Sequence, residues 1–149
     1  MKNILPILLI VLLFGCSSDE QPKTDDSIPP AAVEQAPTNH PAFQSILPTQ
    51  AMRLIGEKSD LLIVDVRTAG EISRNGALPN SVKGDIGIIV KNGVTSDKSR
   101  PVLVVCAVGG RSYAVGKLLV QKGYREIYNL SGGLNRWKRE GFPVVYPGR

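Results

Sequence analysis

Residues 101–112 read Pro-Val-Leu-Val-Val-Cys-Ala-Val-Gly-Gly-Arg-Ser, and this stretch decides the fold of the chain. The apolar run at 102–105 is too short for a typical helix and rich in valine, which predicts a strand buried on both faces. Pro101 fits the first position of such a strand, where its missing N–H is tolerated. Residues 111–121 then place apolar side chains at helical spacing, and Gly123 marks the helix end. The stretch therefore predicts a strand, a tight loop and a helix in direct succession.

Two further strand-and-helix pairs are predicted along the chain. Residues 61–64, Leu-Leu-Ile-Val, predict a second buried strand, and residues 127–130, Ile-Tyr-Asn-Leu, predict a third. After residues 61–64, Thr68 and Glu71 have the spacing of a capping box, which predicts a helix start. Residues 134–140 predict the helix that follows the third strand. Strands that alternate with helices indicate an α/β fold with a mostly parallel central sheet.

A short helix is also predicted ahead of these strands, with Thr49 as its N-cap. Its apolar residues Met52, Leu54 and Ile55 are expected on the side that faces the core. The folded domain is therefore expected to begin before residue 49.

The composition fits one globular domain with a basic surface. A chain of 149 residues has the size of one ordinary domain, and its 42% of hydrophobic residues can build a core. The net charge is +5, but residues 41–149 alone hold 16 Lys and Arg against 8 Asp and Glu. Such a surface is typical of proteins that bind nucleic acid, anionic lipid or small anions, and equally of a solvated face beside a membrane.

The N-terminus predicts export. Lys2 precedes an apolar run that ends before Cys16, as in a signal peptide, and the run is too short to span a membrane. Leu13-Phe14-Gly15-Cys16 resembles the lipobox of bacterial lipoproteins. The resemblance implies that Cys16 is lipidated and becomes the first mature residue.

Three segments follow from this pattern. Residues 1–15 are predicted to be the lipoprotein signal peptide, residues 16–41 a disordered tether rich in Pro, Ala, Ser, Gln and acids, and residues 42–149 the folded domain. We expect a lipid-anchored protein of the cell envelope, on the outer membrane facing the periplasm if the host has one. Nucleic acid is therefore not an expected partner.

Cys106 is the candidate nucleophile. Once Cys16 carries lipid, Cys106 is the only thiol of the mature protein, so no internal disulfide can form. A lone cysteine is often only a small apolar core residue. Its position favours chemistry, because Cys106 follows a buried strand at the sheet edge where α/β proteins bind ligands. Residues 107–111, Ala-Val-Gly-Gly-Arg, can turn so that several backbone N–H groups converge on the sulfur.

The thiol has to be ionised without a histidine. His40 is the only histidine of the chain and lies in the predicted tether, so no histidine base is expected near Cys106. The amides of the loop, the helix N-terminus behind it and the positive charge of Arg111 are expected to lower the pKa of the thiol instead. No metal and no cofactor are predicted.

A family resemblance is carried by residues spread over about 48–145. They are Cys106-x-x-Gly109-x-Arg111-Ser112, Lys122-Gly123-Tyr124, Leu130-x-Gly132-Gly133, Trp137, Gly141-x-Pro143-Val144 and, upstream, Asp65-Val66-Arg67. This set resembles a single-domain rhodanese. The resemblance implies a three-layer α/β sandwich and a sulfurtransferase that takes sulfane sulfur from a donor such as thiosulfate. The sulfur is held as a persulfide and passed to an acceptor thiol, including a thiol protein, or to cyanide.

The resemblance also implies a role for each matching residue. Cys106 carries the sulfur, and the backbone of Ala107, Val108, Gly109 and Gly110 cradles it. Arg111 favours a small sulfur-containing anion as donor. Asp65 and Arg67 match a pair at the strand end that is expected to support the loop rather than to react.

Two other functions remain open at this stage. A phosphatase or arsenate reductase of the related fold has a loop of the Cys-x5-Arg type, which is one residue longer than the Cys-x4-Arg spacing from Cys106 to Arg111 and holds a tetrahedral oxyanion. Alternatively, the domain is a non-catalytic binding module that senses sulfide or redox state through Cys106. Formation of thiocyanate from thiosulfate and cyanide would separate an enzyme from such a module.

Overall fold

The computed structural model describes residues 42–147, so the predicted signal peptide, the tether and the lipidation site Cys16 lie outside the described residues. Five parallel strands form one sheet in the order β1-β5-β4-β2-β3 within this range. The strands are β1 (Phe43–Ile46), β2 (Leu62–Asp65), β3 (Val82–Lys83), β4 (Val102–Val105) and β5 (Ile127–Leu130). The helices are α1 (Pro48–Glu57), α2 (Ala69–Asn75), α3 (Ile86–Asn92), α4 (Gly110–Gln121) and α5 (Gly133–Arg139). The predicted α/β fold is confirmed.

The sheet separates two apolar cores, which makes the domain a three-layer sandwich. On one face, Leu103 and Val105 of β4 pack in a cluster with residues of α1 and α5. On the other face, Val102, Val104 and Cys106 pack in a cluster with residues of α3 and α4. Every residue of the central strand β4 is buried, as the apolar run predicted.

The start of α1 differs from the prediction. Leu47 is the N-cap, Pro48 occupies the first helical position, and the side chain of Gln50 accepts a hydrogen bond from the Leu47 N–H at 2.8 Å. Proline suits this position because its φ angle is already helical and its missing N–H would have no partner there. The buried face is therefore centred on Ala51 and Leu54, whereas Met52, predicted to face the core, is 40% exposed. The prediction of Thr49 as N-cap was wrong.

The capping box of α2 is confirmed. The Thr68 hydroxyl accepts a hydrogen bond from the Glu71 amide at 3.2 Å, and the Glu71 carboxylate accepts one from the Thr68 amide at 3.0 Å. This arrangement fixes the direction in which the Glu71 side chain leaves the helix.

Three elements escaped prediction, namely β1, β3 and α3. β1 mixes apolar and polar residues, and β3 is only two exposed residues long. α3 carries three apolar residues that stay exposed, Ile86, Ile88 and Val90, so its sequence lacks a clear inner face. None of the five helices in residues 42–147 has the length and apolar character needed to cross a bilayer.

Candidate active site

Cys106 lies directly after β4, where the loop to α4 begins. Its Sγ accepts a hydrogen bond from the Gly109 amide at 3.1 Å, and the Ser112 hydroxyl lies 3.3 Å from the same sulfur. The side chain of Cys106 is 0% exposed and packs in the apolar cluster on the α3 and α4 face of the sheet. The amides nevertheless converge on the sulfur, as the glycine-containing loop predicted.

These contacts set the ionisation of the thiol. Burial raises the pKa of Cys106, because a thiolate is disfavoured away from water. The hydroxyl of Ser112 and the backbone amides of Ser112, Val108 and Gly109 outweigh burial, so the pKa is lowered from its ordinary value. A lowered pKa increases the fraction of thiolate, which is the nucleophilic form.

The carbonyl groups of the loop are held by a second helix. The amide of Leu134, in the first turn of α5, donates to the Cys106 carbonyl at 2.8 Å, and the amide of Asn135 donates to the Ala107 carbonyl at 3.0 Å. Gly133 allows this close approach, because it has a φ of +57° and an added Cβ would collide with the carbonyl group of Cys106. The N-cap of α4 therefore donates a hydrogen bond to the Cys106 sulfur, and the first turn of α5 donates hydrogen bonds to the carbonyl groups of Cys106 and Ala107.

A buried polar pair lies behind the sulfur. The Ser112 hydroxyl is 2.6 Å from the side-chain oxygen of Asn129 in β5, and the Asn129 amide donates to the Ser45 hydroxyl at 3.0 Å. Ser112 has one hydroxyl proton, which Asn129, Cys106 Sγ and the Gly109 carbonyl oxygen can each accept. The direction of this proton therefore depends on whether the thiol is ionised.

Arg111 forms an ion pair that the sequence did not predict. Its Nη2 and Nη1 donate to the two carboxylate oxygens of Glu71 at 2.5 and 3.0 Å. The hydrogen bond from Arg111, together with those from Thr68, lowers the pKa of Glu71 to about 2. The same pairing raises the pKa of Arg111. The guanidinium was expected to attract an anionic donor, but its charge is offset by Glu71.

Asp65 and Arg67 form a second ion pair, which is buried. Arg67 Nε donates to the two carboxylate oxygens of Asp65 at 2.9 and 3.1 Å. Arg67 Nη2 donates to Asp65 at 2.5 Å and to the Gly76 carbonyl at 2.7 Å. Within residues 42–147 the side chains of this pair hydrogen bond to each other, to the Arg67 amide and to Gly76 at the end of α2, rather than to residues 107–111. The pair fixes the β2–α2 connection, which carries Thr68 and Glu71.

A cleft of about 380 Å³ opens between this connection, the segment after β3 and Arg111 in the first turn of α4, and residues 106–110 are not part of its lining. Its lining includes Thr68, Lys83, Asp85, Ile86 and Arg111. The cleft lies at the carboxyl ends of the parallel strands, where ligands of α/β proteins bind.

Sequence reasoning predicted Cys106, its loop and Arg111 as site residues. It missed Glu71 as a partner of Arg111, and Asn129 as a partner of Ser112. Glu71 was recognised only as a helix cap, and its partner Arg111 lies 40 residues away. Asn129 was assigned to a strand, with nothing in the sequence to link it to Ser112, 17 residues earlier. Such long-range pairs have no local sequence signal, since they depend on which strands become neighbours.

Comparison with known proteins identifies relatives over most of the domain. A sulfurtransferase from Allochromatium vinosum is 36% identical over 93 residues, which are 62% of this chain and 86% of that protein. The thiosulfate sulfurtransferase GlpE of Coxiella burnetii is 31% identical over 96 residues, which are 64% of this chain and 88% of that protein. A rhodanese-related protein from Thermoplasma volcanium superposes with a TM-score of 0.60 at 28% identity, covering 69% of this chain and 98% of that chain.

These relatives support a sulfurtransferase-type function for the domain. The family model described as the rhodanese-like domain matches residues 47–140, which is more than half of the chain. The chain therefore belongs to the rhodanese-like family.

Proposed function

We propose that this domain is a sulfurtransferase that moves a sulfane sulfur from a donor such as thiosulfate through a persulfide on Cys106 to an acceptor thiol or cyanide. The observation that carries the proposal is the convergence of backbone amides and the Ser112 hydroxyl on Cys106 Sγ. This arrangement favours the thiolate, and the same hydrogen-bond donors can stabilise an anionic persulfide on Cys106. The relative named as a thiosulfate sulfurtransferase supports the choice of donor.

In the first half-reaction the Cys106 thiolate attacks the outer sulfur of thiosulfate. A new S–S bond forms on Cys106, the S–S bond of thiosulfate breaks, and its electron pair leaves with sulfite. The product is an anionic persulfide, so the charge that the amides stabilise is kept but moves outward by one sulfur atom. No proton and no external oxidant are needed.

In the second half-reaction an acceptor thiolate or cyanide attacks the terminal sulfur of the persulfide. The S–S bond to Cys106 breaks, its electrons return to the Cys106 thiolate, and an organic persulfide or thiocyanate leaves. Because Cys106 is 0% exposed, both steps require a local shift that uncovers the sulfur, and we place this shift in residues 107–110. Val108 is 65% exposed at the tip of this loop, so its displacement costs little packing.

We propose that the domain works in the cell envelope, tethered by residues 16–41 to a lipid on Cys16. The signal-like run before Cys16 and the basic composition of residues 41–149 support a position beside a membrane. Mass spectrometry of the protein purified from membranes would test this, with a Cys16→Ser variant as control. A mature chain without a lipid-sized mass increment would contradict the anchor.

The decisive experiment for the activity is intact-mass spectrometry after exposure of residues 42–149, purified under reducing conditions, to thiosulfate. We expect one added sulfur that is absent in Cys106→Ser and is removed by cyanide, with thiocyanate formed in equal amount. A wild-type protein that gains no sulfur would overturn the proposal. A protein that gains sulfur but releases none to cyanide or to a thiol would instead be a sensing module.

Complete burial of Cys106 is the observation that favours the sensing module as the second candidate, because a covered persulfide is slow to meet an acceptor. A phosphatase or arsenate reductase is less favoured. In the structure Arg111, which would hold an oxyanion, already binds both carboxylate oxygens of Glu71.

A further inference from the structure

Exposed apolar side chains are concentrated on α3 and on the strand before it. Within residues 42–147, nine large apolar residues are exposed, and four of them lie between 82 and 90, namely Val82, Ile86, Ile88 and Val90. Ile88 is 59% exposed, and Ile89 is the one buried residue of α3. Clustered apolar side chains that face water typically mark a surface that binds a partner or a membrane.

A pocket of about 320 Å³ at the C-terminal end of α3 is surrounded by three lysines, Lys91, Lys98 and Lys122. Lys122 Nζ donates to the Lys91 carbonyl at 3.3 Å, and none of the three lysines forms an ion pair within residues 42–147. α3 and α4 both end beside this pocket, and the partial negative charges of the two helix C-termini allow the ammonium groups to lie close together. An anion that enters this lysine pocket therefore meets three positive charges.

The apolar side chains and the lysine pocket are parts of one surface. Ile88 precedes Lys91 and Asn92 by three and four residues, a spacing that places side chains on the same side of a helix. Ile88 and Val82 also line a groove of about 380 Å³ that extends to Gly93, the residue after α3. The groove and the lysine pocket therefore meet at the end of α3. We name this region the α3 surface, consisting of Val82, Ile88, Lys91, Lys98 and Lys122.

We propose that the α3 surface docks on a membrane that contains anionic phospholipids. Headgroup phosphates enter the lysine pocket, and Val82 and Ile88 lie at the boundary between the headgroups and the acyl chains. Lysines attract anionic lipids, and the apolar side chains gain from leaving water, so the two contributions act on the same face. A protein partner is less favoured, because lysine is depleted in protein–protein interfaces.

Two acidic residues lie near the α3 surface without neutralising it. The Asp85 carboxylate accepts a hydrogen bond from the Ile88 amide at 3.1 Å, at the opposite end of α3 from Lys91. The Asp97 carboxylate accepts hydrogen bonds from the Ser99 amide and hydroxyl at 2.9 and 2.6 Å. Neither carboxylate lines the lysine pocket, so its positive charge is available to a lipid phosphate.

The inference does not rest on the proposed sulfur chemistry, and it is compatible with the proposed lipid anchor. β1 and β3 occupy opposite edges of the sheet, four strand spacings or about 19 Å apart, and α3 follows β3. The proposed tether of residues 16–41 would span up to about 90 Å if fully extended. It is therefore long enough for the edge that carries α3 to reach the bilayer.

The test is cosedimentation of residues 42–149, which contain both apolar cores of the domain, with lipid vesicles. We expect binding to vesicles of phosphatidylglycerol and phosphatidylcholine in equal parts and no binding to pure phosphatidylcholine. Raising the salt concentration to about 0.5 M, where the screening length is about 4 Å, should weaken the binding. Equal binding to the two kinds of vesicle, or binding to neither, would overturn the proposal.

Single substitutions test whether the α3 surface is the part that binds. We expect Lys91→Gln and Lys98→Gln each to weaken vesicle binding about fivefold. Ile88→Gln, which loses its apolar contact with the bilayer, should weaken it about tenfold. The matched controls are Lys138→Gln in α5 and Met52→Gln in α1, two exposed residues of the helices on the other face of the sheet. Both controls should bind as wild type does.

Two results with these variants would contradict membrane docking. Wild-type affinity in both Lys91→Gln and Lys98→Gln would show that the lysine pocket does not bind headgroups. Weaker binding in the lysine variants with wild-type binding by Ile88→Gln would indicate a site for soluble phosphate, which needs no apolar contact. Because the substituted residues are exposed, circular dichroism of each variant should show an unchanged helix content.

Discussion

The hydroxyl of Ser112 lies 3.3 Å from Cys106 Sγ and forms a shorter contact, 2.6 Å, with the side-chain oxygen of Asn129. The Ser112 hydroxyl has one proton, which it can donate to either the Cys106 sulfur or the Asn129 oxygen. When the thiol is protonated, the Ser112 proton can point to Asn129 and the S–H to Ser112; when the thiol is ionised, the Ser112 proton can turn to the sulfur. Asn129 and Cys106 therefore compete for the same donor.

Substitution Ser112→Ala is expected to raise the pKa of Cys106. Burial then acts against fewer hydrogen bonds to the thiolate, because both the hydroxyl and its proton are lost. The pH profile of iodoacetamide alkylation should move to higher pH, and sulfur loading at pH 7 should slow about tenfold, as for one lost hydrogen bond to a charged group. The exposed Ser59→Ala serves as control and should leave the profile where it is in wild type.

Substitution Asn129→Leu is expected to act in the opposite direction. Without the Asn129 oxygen, the Ser112 proton is freed for the sulfur and the pKa of Cys106 should fall further. The alkylation profile should then lie at lower pH than in wild type. The free energy of unfolding should fall by about 1 to 2 kcal/mol, because the Ser45 hydroxyl also loses its partner. A profile that moves to higher pH would show that Asn129 does not compete for this proton.

Substitution Glu71→Gln tests the ion pair with Arg111. The pair lies at the surface, with 25% of the Glu71 side chain exposed, so its loss should cost less than about 1 kcal/mol of stability at pH 7. We expect faster alkylation of Cys106, because Arg111 at the end of the loop is released. Glu57→Gln, which removes an exposed glutamate from α1, is the matched control.

The pH dependence of this pair follows from the lowered pKa. The pKa of Glu71 is about 2 in the folded protein against an ordinary value of 4.5, and the hydrogen bond from Arg111 is the largest cause, followed by the Thr68 amide. A lowered folded-state pKa contributes stability that is present above the unfolded value and is lost as the pH falls through the folded value. The difference in Tm between wild type and Glu71→Gln should therefore be constant above about pH 5 and shrink between pH 4.5 and 2. A difference that does not change with pH would rule out an ionic contribution.

The sequence was sufficient for the parts of the site that are local. Cys106 and the glycines after it follow a run of four apolar residues, and this order alone placed a thiol at the end of a buried strand beside a helix N-terminus. The capping box of Thr68 and Glu71 was also readable because its partners are three residues apart. Both features depend on residues that lie close together in the sequence.

The residues that position Cys106 and adjust its pKa could not be predicted, because they belong to elements that are distant in the sequence. Leu134 meets the Cys106 carbonyl, and Asn129 meets the Ser112 hydroxyl, only because the sheet order places β5 beside β4. Single-sequence patterns define the strands but not their order. β3 in particular is two exposed residues long and has no apolar alternation to detect.

We expect the methyl group added by Gly133→Ala to destabilise the fold more than any other single methyl group added near the site. Gly133 has a φ of +57°, and an added Cβ would meet backbone atoms of Cys106 and Ala107, which cannot rotate away as a side chain can. The free energy of unfolding should fall by about 2 kcal/mol or more, from backbone strain and from displacement of the Leu134 amide. Gly110→Ala is the matched control, since a Cβ there meets nothing within 4 Å and its φ is not in the left-handed region. Urea denaturation of the two variants measures the difference. Equal stability of both would show that the contact between α5 and the loop adapts to an added methyl group.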